Sequence, residues 1–509
     1  MTAGTRAVPV SGRARFGAPA LTAALAALVG IATLSALIAA DALDADDTDA
    51  FALALVLIPC ALAISFLVAL RSERAQPTRL GLWPLVLAIP LWMATFVLRA
   101  LTLWGSPRFA ADPLHALGFG PGDLTRTVAM GGLGIACWCL GHLGLLLLPA
   151  RRRRAVPAFL RRTAEPGRWR WALLIGAGTA LWAALFQRQG GIDALINAPA
   201  TIRQNQQSSF YGFIGVWMVQ GAAVFLWIQV LRASSGVREA IGSRAGRVCA
   251  LAFAIGVVAG FCLQLRELTL LLLLAMMIVY LHFRRPSRRV LAILLSGAVA
   301  LGGFLLIYQQ VRGFSQRVET SRAIELALRT PPAELASGDL NTFDNLVAMR
   351  ELVPHSIGYL NGQTLIQIPG ALVPRSIWGS KPQPIDQQVS GYLYPGGRQL
   401  RADGRAASLD GLSGTPILLQ GELYWNLGLG GVAIGSLLFG ALIGAVARAA
   451  RRADESDALL ALYSVTASFV PLLLTRALAT MTGNLVLALI GTSIALLVLG
   501  TGRSMETRS

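Results

Sequence analysis

The chain has a single lysine, Lys381, and four histidines among 509 residues. Charged residues make up 14% of it against 55% hydrophobic. That shortage of charge excludes an ordinary soluble domain, whose composition is about a quarter charged. Nucleotide signatures are missing too: there is no P-loop, no dinucleotide glycine fingerprint and no zinc motif. The five cysteines (Cys60, Cys137, Cys139, Cys249, Cys262) all fall within apolar runs and at no ligand-like spacing. They are expected to pack rather than to bridge or to bind metal, and no cofactor is expected.

What the chain does have is arginine, giving a formal charge of +18. Its distribution argues against nucleic acid as a partner. Arginines come in short bursts between apolar runs of about 20 residues, the length that spans a bilayer. About twelve spans are expected. They cover residues 18–40, 50–70, 81–104, 127–149, 171–187, 212–231, 248–264, 268–283, 290–309, 417–447, 458–475 and 482–500. The basic bursts "RARF", "RSERAQPTR", "RRRRAVPAFLRR", "RASSGVREAIGSRAGR", "RRPSRR" and "RAARR", and the basic tail, occupy alternate connections. The positive-inside rule puts them, and both termini, in the cytoplasm. The first outside connection, "DALDADDTDA", is purely acidic, and the long first apolar run requires no cleavable signal.

The reading is an all-α polytopic plasma-membrane protein. Residues 1–309 form a first bundle of about nine spans, and 310–416 a large extracytoplasmic loop between the ninth and tenth. Residues 417–509 form a last bundle of about three spans with a cytoplasmic tail.

An arginine in an outside connection works against the topology signal and so needs a reason. Arg188, Arg203, Arg266, Arg476, Arg108 and Arg126 are such residues, Arg99 lies near the outer end of the third span, and Arg312 opens the large loop. Together they suggest an anionic ligand on the outer face, since an ionisable group at membrane depth faces a cavity or a partner. In the loop, "VRGFSQRVETSRAIELALRTPP" has the pattern of a helix lying on the membrane surface. Farther on, "IPGALVPRSIWGSKPQPI" carries four prolines, which preset the direction of Arg375, Trp378 and Lys381.

Two stretches, "YLNGQTLIQIPGALVPRSIWGSKPQP" and "SGTPILLQGELYWNLGLGGVAIG", resemble the O-antigen polymerase (Wzy-type), or oligosaccharide repeat-unit polymerase, family. The resemblance rests on Pro374, Arg375, Trp378, Lys381 and Pro382, then on Gly421, Glu422, Tyr424, Asn426 and Gly428. Arg266, in "LQLREL", is similar to the family's arginine in a short turn before the loop.

The resemblance implies glycosyl transfer on the outer face. An undecaprenyl-diphosphate-linked oligosaccharide is the donor and a second lipid-linked repeat the acceptor, with the bilayer and a chain-length regulator as further partners. A diphosphate leaving group gathers negative charge, and a planar guanidinium fork matches its oxygens. Arg203, Arg266, Arg312, Arg375 and Lys381 are the candidate cations. Trp378 and Tyr424 offer faces for sugar rings. Glu422, His355 and Asp386 are candidates for the general base, Glu422 first because it sits where the loop re-enters the membrane.

Other classes share parts of this pattern. A polyprenyl-monophosphate-sugar-dependent glycosyltransferase would use acidic residues in the first outside loop, here Asp44, Asp46 and Asp47. An O-antigen ligase shares the whole architecture. A lipid-linked oligosaccharide flippase would carry more charge in mid-span than this chain does.

Overall fold

The computed structural model describes residues 18–41, 47–74, 80–110, 114, 117–148, 168–197, 212–263, 265–284, 296, 320–329, 332–370, 372–373, 377–382, 384–393, 416–451 and 456–500. Among them the chain is all-helical, without strands. Ten helices among the described residues are long and apolar enough to cross a membrane, and the chain is a membrane-embedded protein. Seven precede the polar segment: α1 (Ala18–Ala39), α2 (Thr48–Arg74), α3 (Leu80–Gly105), α4 (Pro121–Leu147), α5 (Arg168–Arg188), α6 (Phe213–Ala233) and α7 (Arg244–Cys262). α8 (Arg266–Phe283) is apolar but shorter. The span expected at 290–309 lies, but for Ser296, outside the described residues.

The polar segment contributes α9 (Thr320–Arg329), α10 (Pro332–Leu352) and α11 (Ile385–Leu393). Three apolar helices follow: α12 (Leu419–Ala450), α13 (Asp457–Thr475) and α14 (Leu478–Gly500). On α9, Glu325 pairs with both Arg322 and Arg329 while Ile324 and Leu328 are exposed. That is the amphipathic arrangement its sequence suggests.

Hydrogen bonds between distant residues sort the connections into two ends. At one end Arg126, early in α4, meets Asp41 after α1 at 3.0 Å. At the other, Arg451 donates to Ser72 at 3.4 Å, Tyr463 to the Leu80 carbonyl, and Arg232 pairs with Asp457 at 2.5 Å. The basic bursts at Ser72, Arg232 and Arg451 therefore share one end and the acidic Asp41 lies at the opposite one.

Helices α4 and α12 form the central seam. α12 presents Ser436, Gly440 and Gly444 at four-residue spacing, a small-residue ridge that lets backbones approach closely. A Cβ on Gly440 would lie 2.0 Å from the Trp138 carbonyl oxygen, and one on Gly141 2.0 Å from that of Leu437. Neither position accepts a side chain.

The span expected over 417–447 is not one continuous traverse. Leu427 (φ −143°) and Gly428 (φ +64°, ψ −155°) leave helical geometry, a conformation that glycine adopts readily. The chain then folds back on itself. A Cβ on Gly435 would fall 2.4 Å from the Leu423 side chain, whereas twelve residues of straight helix separate their ends by about 18 Å. Gln420 and Ser436 both border Gly134 of α4 for the same reason. The first part of α12 is thus the short arm of a hairpin with its apex at Leu427–Gly428.

The polar segment is seated in the bundle by a buried ion pair. Arg99 Nε donates to Asp344 Oδ1 at 2.8 Å and Nη2 to Oδ2 at 2.7 Å, with the side chains 2% and 1% exposed. Arg99 follows a π-helical turn at Met93–Leu98, just after Pro90, whose missing N–H interrupts the regular ladder. Phe96, on that turn, packs edge-on against Phe343 at 5.9 Å. Thr342 to Met349 of α10 are all buried.

A bidentate pair at this depth is costly to break from one side, because the surviving charge is stranded. Asp344→Leu is expected to cost about 3–5 kcal/mol, and Arg99→Met with Asp344→Leu to recover most of it. Thermal unfolding of the purified protein in detergent measures both. Equal loss in the single and double variants would show that the pair's charges do not matter.

Candidate functional site

The sequence "GELYWNLG", residues 421–428, forms the short arm of the hairpin and its apex. Its side chains are tied to the turn and loop that follow α10. Tyr424 Oη donates to the Val353 carbonyl at 3.3 Å, and Trp425 Nε1 to that of Gly358 at 3.2 Å. The Trp425 carbonyl, near the end of the broken helix, accepts from the Leu360 N–H at 2.9 Å. Asn426 Nδ2 donates to Thr364 Oγ1 and to the Glu422 carbonyl, both at 2.7 Å. Tyr359 lies against Gly428, 3.3 Å from where a Cβ would stand.

Glu422 is fully buried. Its Oε2 accepts from the Leu478 N–H, the first of α14, at 2.8 Å. A carboxylate there satisfies one of the orphan donors of a helix N-terminus and complements its dipole. Thr364 also faces this carboxylate, and Asp386 stands near enough for its charge to be felt. Among the described residues, Glu422 Oε1 and Asn426 Oδ1 are buried without a hydrogen-bond partner. Two of the three candidate bases, Glu422 and Asp386, therefore share one neighbourhood. His355 instead lies exposed on the turn after α10.

The loop "IPGALVPRSIWGSKP" closes on Gly370. The Trp378 ring covers that glycine, leaving a Cβ only 2.4 Å from Cζ3. Lys381 Nζ donates to the Gly370 carbonyl at 3.0 Å and to that of Val373 at 3.1 Å. Lys381 N donates in turn to the Trp378 carbonyl at 3.0 Å. The one lysine and its neighbouring tryptophan thus staple their own loop. Arg203, Arg312 and Arg375 lie outside the described residues, as does the side chain of Arg266. Asp44 and Asp46 do so too, and Asp47 caps the start of α2 by accepting from the Asp49 N–H at 3.1 Å.

A second polar cluster flanks the hairpin at the Asp41 end. Asp123, in the first turn of α4, accepts from Gly120 N and from Arg126 Nη2, each at 2.8 Å. Arg350 and Glu351, in the last turn of α10, pair with each other at 3.2 Å and border Asp123 and Tyr424. Reading the sequence for outside arginines finds Arg126 but not its carboxylates. The signal for Asp123 is "GPGD", with proline at N1 and an acid at N3.

No family model, curated protein or solved structure matches the chain.

If Lys381 is a staple, Lys381→Met should raise proteolytic cutting within residues 370–381 several-fold while leaving global unfolding nearly unchanged. Limited proteolysis in detergent reads this. Unchanged cutting would show that the ammonium does not hold this loop.

Proposed function

We propose that the chain is an oligosaccharide repeat-unit polymerase, joining undecaprenyl-diphosphate-linked units at the outer face of the plasma membrane. The observation that carries the reading is the state of Glu422. One carboxylate oxygen is fixed by a backbone amide and the other has no partner among the described residues. A general base needs that combination of a held orientation and an open oxygen. The residues of the family resemblance, Glu422, Tyr424, Asn426 and Gly428, are also those that shape the hairpin around it.

In this reading the Asp41 end faces outward, with both termini in the cytoplasm. The lipid-linked donor arrives laterally from the bilayer and its sugars meet the hairpin. The acceptor hydroxyl oxygen attacks the donor's anomeric carbon and its proton passes to Glu422. The bond from that carbon to the diphosphate breaks, and the lipid diphosphate leaves with the electron pair. Asp386 is the second carboxylate within reach. Arg375 and Arg266 are the cations assigned to the leaving group. Because Glu422 is covered by the 353–364 stretch, acceptor entry requires that stretch to lift.

The test separates base from cap. Glu422→Gln retains a carbonyl oxygen to accept from Leu478, so the fold should hold. General acid–base assistance is worth about 10²–10⁴-fold, so turnover of a lipid-linked repeat should fall by that much. Unpolymerised single repeats should accumulate in cells. Near-normal turnover per folded molecule would leave Glu422 only its helix-capping role and move the chemistry to Asp386. If wild-type protein and its gene deletion give the same surface glycan, the polymerase reading fails altogether.

A further inference from the structure

Two buried acceptors on the short arm of α12, Glu422 Oε1 and Asn426 Oδ1, have no donor among the described residues. Residues four apart on a helix lie one above the other, with about 5–6 Å between Cβ atoms. The arm stays helical as far as Asn426, the break coming at Leu427. Both side chains are also fixed in direction. Glu422 Oε2 accepts from the Leu478 N–H, which commits that oxygen and leaves Oε1 for another donor. Asn426 Nδ2 donates to the Glu422 carbonyl and to Thr364 Oγ1, both at 2.7 Å, so each amide hydrogen has its acceptor. A flipped amide would set its oxygen against the Glu422 carbonyl oxygen, so Oδ1 is the open side.

Two unmet acceptors side by side define what belongs there. A buried acceptor left without a donor is costly, so the fitting occupant brings two donors to neighbouring points. A bare hard cation asks for about six oxygens, and Thr364 Oγ1 already takes an amide hydrogen. A sugar ring offers what is missing, because adjacent ring carbons carry hydroxyls or amides side by side. On the polymerase reading above, on which this rests, one of those hydroxyls gives its proton to Glu422. We infer that Asn426 Oδ1 receives the O–H or N–H donor next to it. Asn426 is then the residue that selects the acceptor sugar and its orientation.

The arrangement survives opening of the site. Thr364 belongs to the stretch that must lift for the acceptor to enter, and its departure releases one amide hydrogen. The other stays on the Glu422 carbonyl, which lies on the same arm, so Oδ1 keeps its direction. Binding at two points fixes which face of the sugar meets the donor's anomeric carbon, since the ring no longer turns about a single hydrogen bond. The same contact discriminates. An acceptor without the neighbouring donor leaves Asn426 Oδ1 buried and unmet, at about a ten- to hundredfold loss in transfer.

Transfer by the full-length protein in nanodiscs, read as kcat/KM with products identified by mass, tests this. The intact acceptor is the single lipid-linked repeat from the gene-deletion strain, which also serves as donor throughout. Two synthetic copies lack, in turn, each donor group beside the reacting hydroxyl. Wild-type protein should lose about ten- to a hundredfold on one of the copies. Asn426→Leu, of similar size but without an acceptor, should lose as much on the intact acceptor and little more on that copy. Asn426→Ala takes its place if the leucine variant does not fold. A purely structural asparagine would instead give losses that multiply, the full penalty for the copy persisting in the variant. That result, or a wild type indifferent to both copies, overturns the subsite and leaves the polymerase reading standing. No transfer to the intact acceptor overturns that reading and the subsite with it.

Discussion

Everything distinctive about this protein hangs on the Arg99–Asp344 pair. α10 is too polar to be counted among the membrane-crossing helices, yet eight consecutive residues, Thr342 to Met349, are buried in the bundle. A helix of that composition can be sunk among apolar neighbours only if its charge is met there. Arg99 meets it with two parallel hydrogen bonds, a geometry that a lysine could not supply. Once α10 is fixed, Asn345 can hold the Pro416 carbonyl at 3.0 Å, which locates the start of the α12 hairpin. The turn after α10 then lies beside Tyr424.

The hairpin itself raises an accounting problem. Breaking a helix at Leu427–Gly428 frees backbone groups, and unsatisfied ones in a low-dielectric setting cost several kcal/mol each. Part of the repair comes from the polar segment, through Leu360 N–H to Trp425 O, while side chains of the short arm tie the two pieces together. At the arm's other side, Glu422 supplies an acceptor to the start of α14. The polar segment and the broken helix therefore support each other. Non-helical backbone at this depth is tolerated where protein covers it.

This division explains what could be read from the sequence. Apolar runs and arginine bursts report length and solvent preference, so most of the membrane-crossing helices fall where expected. The fold-back in α12 is hidden because the short arm runs into the long apolar stretch with no proline or polar turn between them. Only the glycines of "LGLGG" and a run longer than one span hint at it. Glu422 stands out as a carboxylate at a membrane boundary. Its partner is a backbone amide 56 residues away, and a backbone amide has no sequence signature. Asp344 is hidden for a similar reason. It looks like ordinary surface charge in "FDNLVAMREL", and only the packing of α10 turns it inward.

The same reasoning accounts for the solitary lysine. Every other cationic side chain is an arginine, suited to planar, bidentate partners such as Asp344. At residue 381 the partners include two carbonyls of one turn, Gly370 and Val373, which do not present the parallel oxygens of a carboxylate. A compact ammonium with rotating donors can satisfy both, whereas a rigid guanidinium fork would have to choose. The tryptophan over Gly370 makes the space tighter still, since that ring leaves no room for a Cβ beneath it. A chain that uses arginine everywhere else thus keeps lysine where the acceptors are divergent and the room is small. The loop is held by its own chemistry.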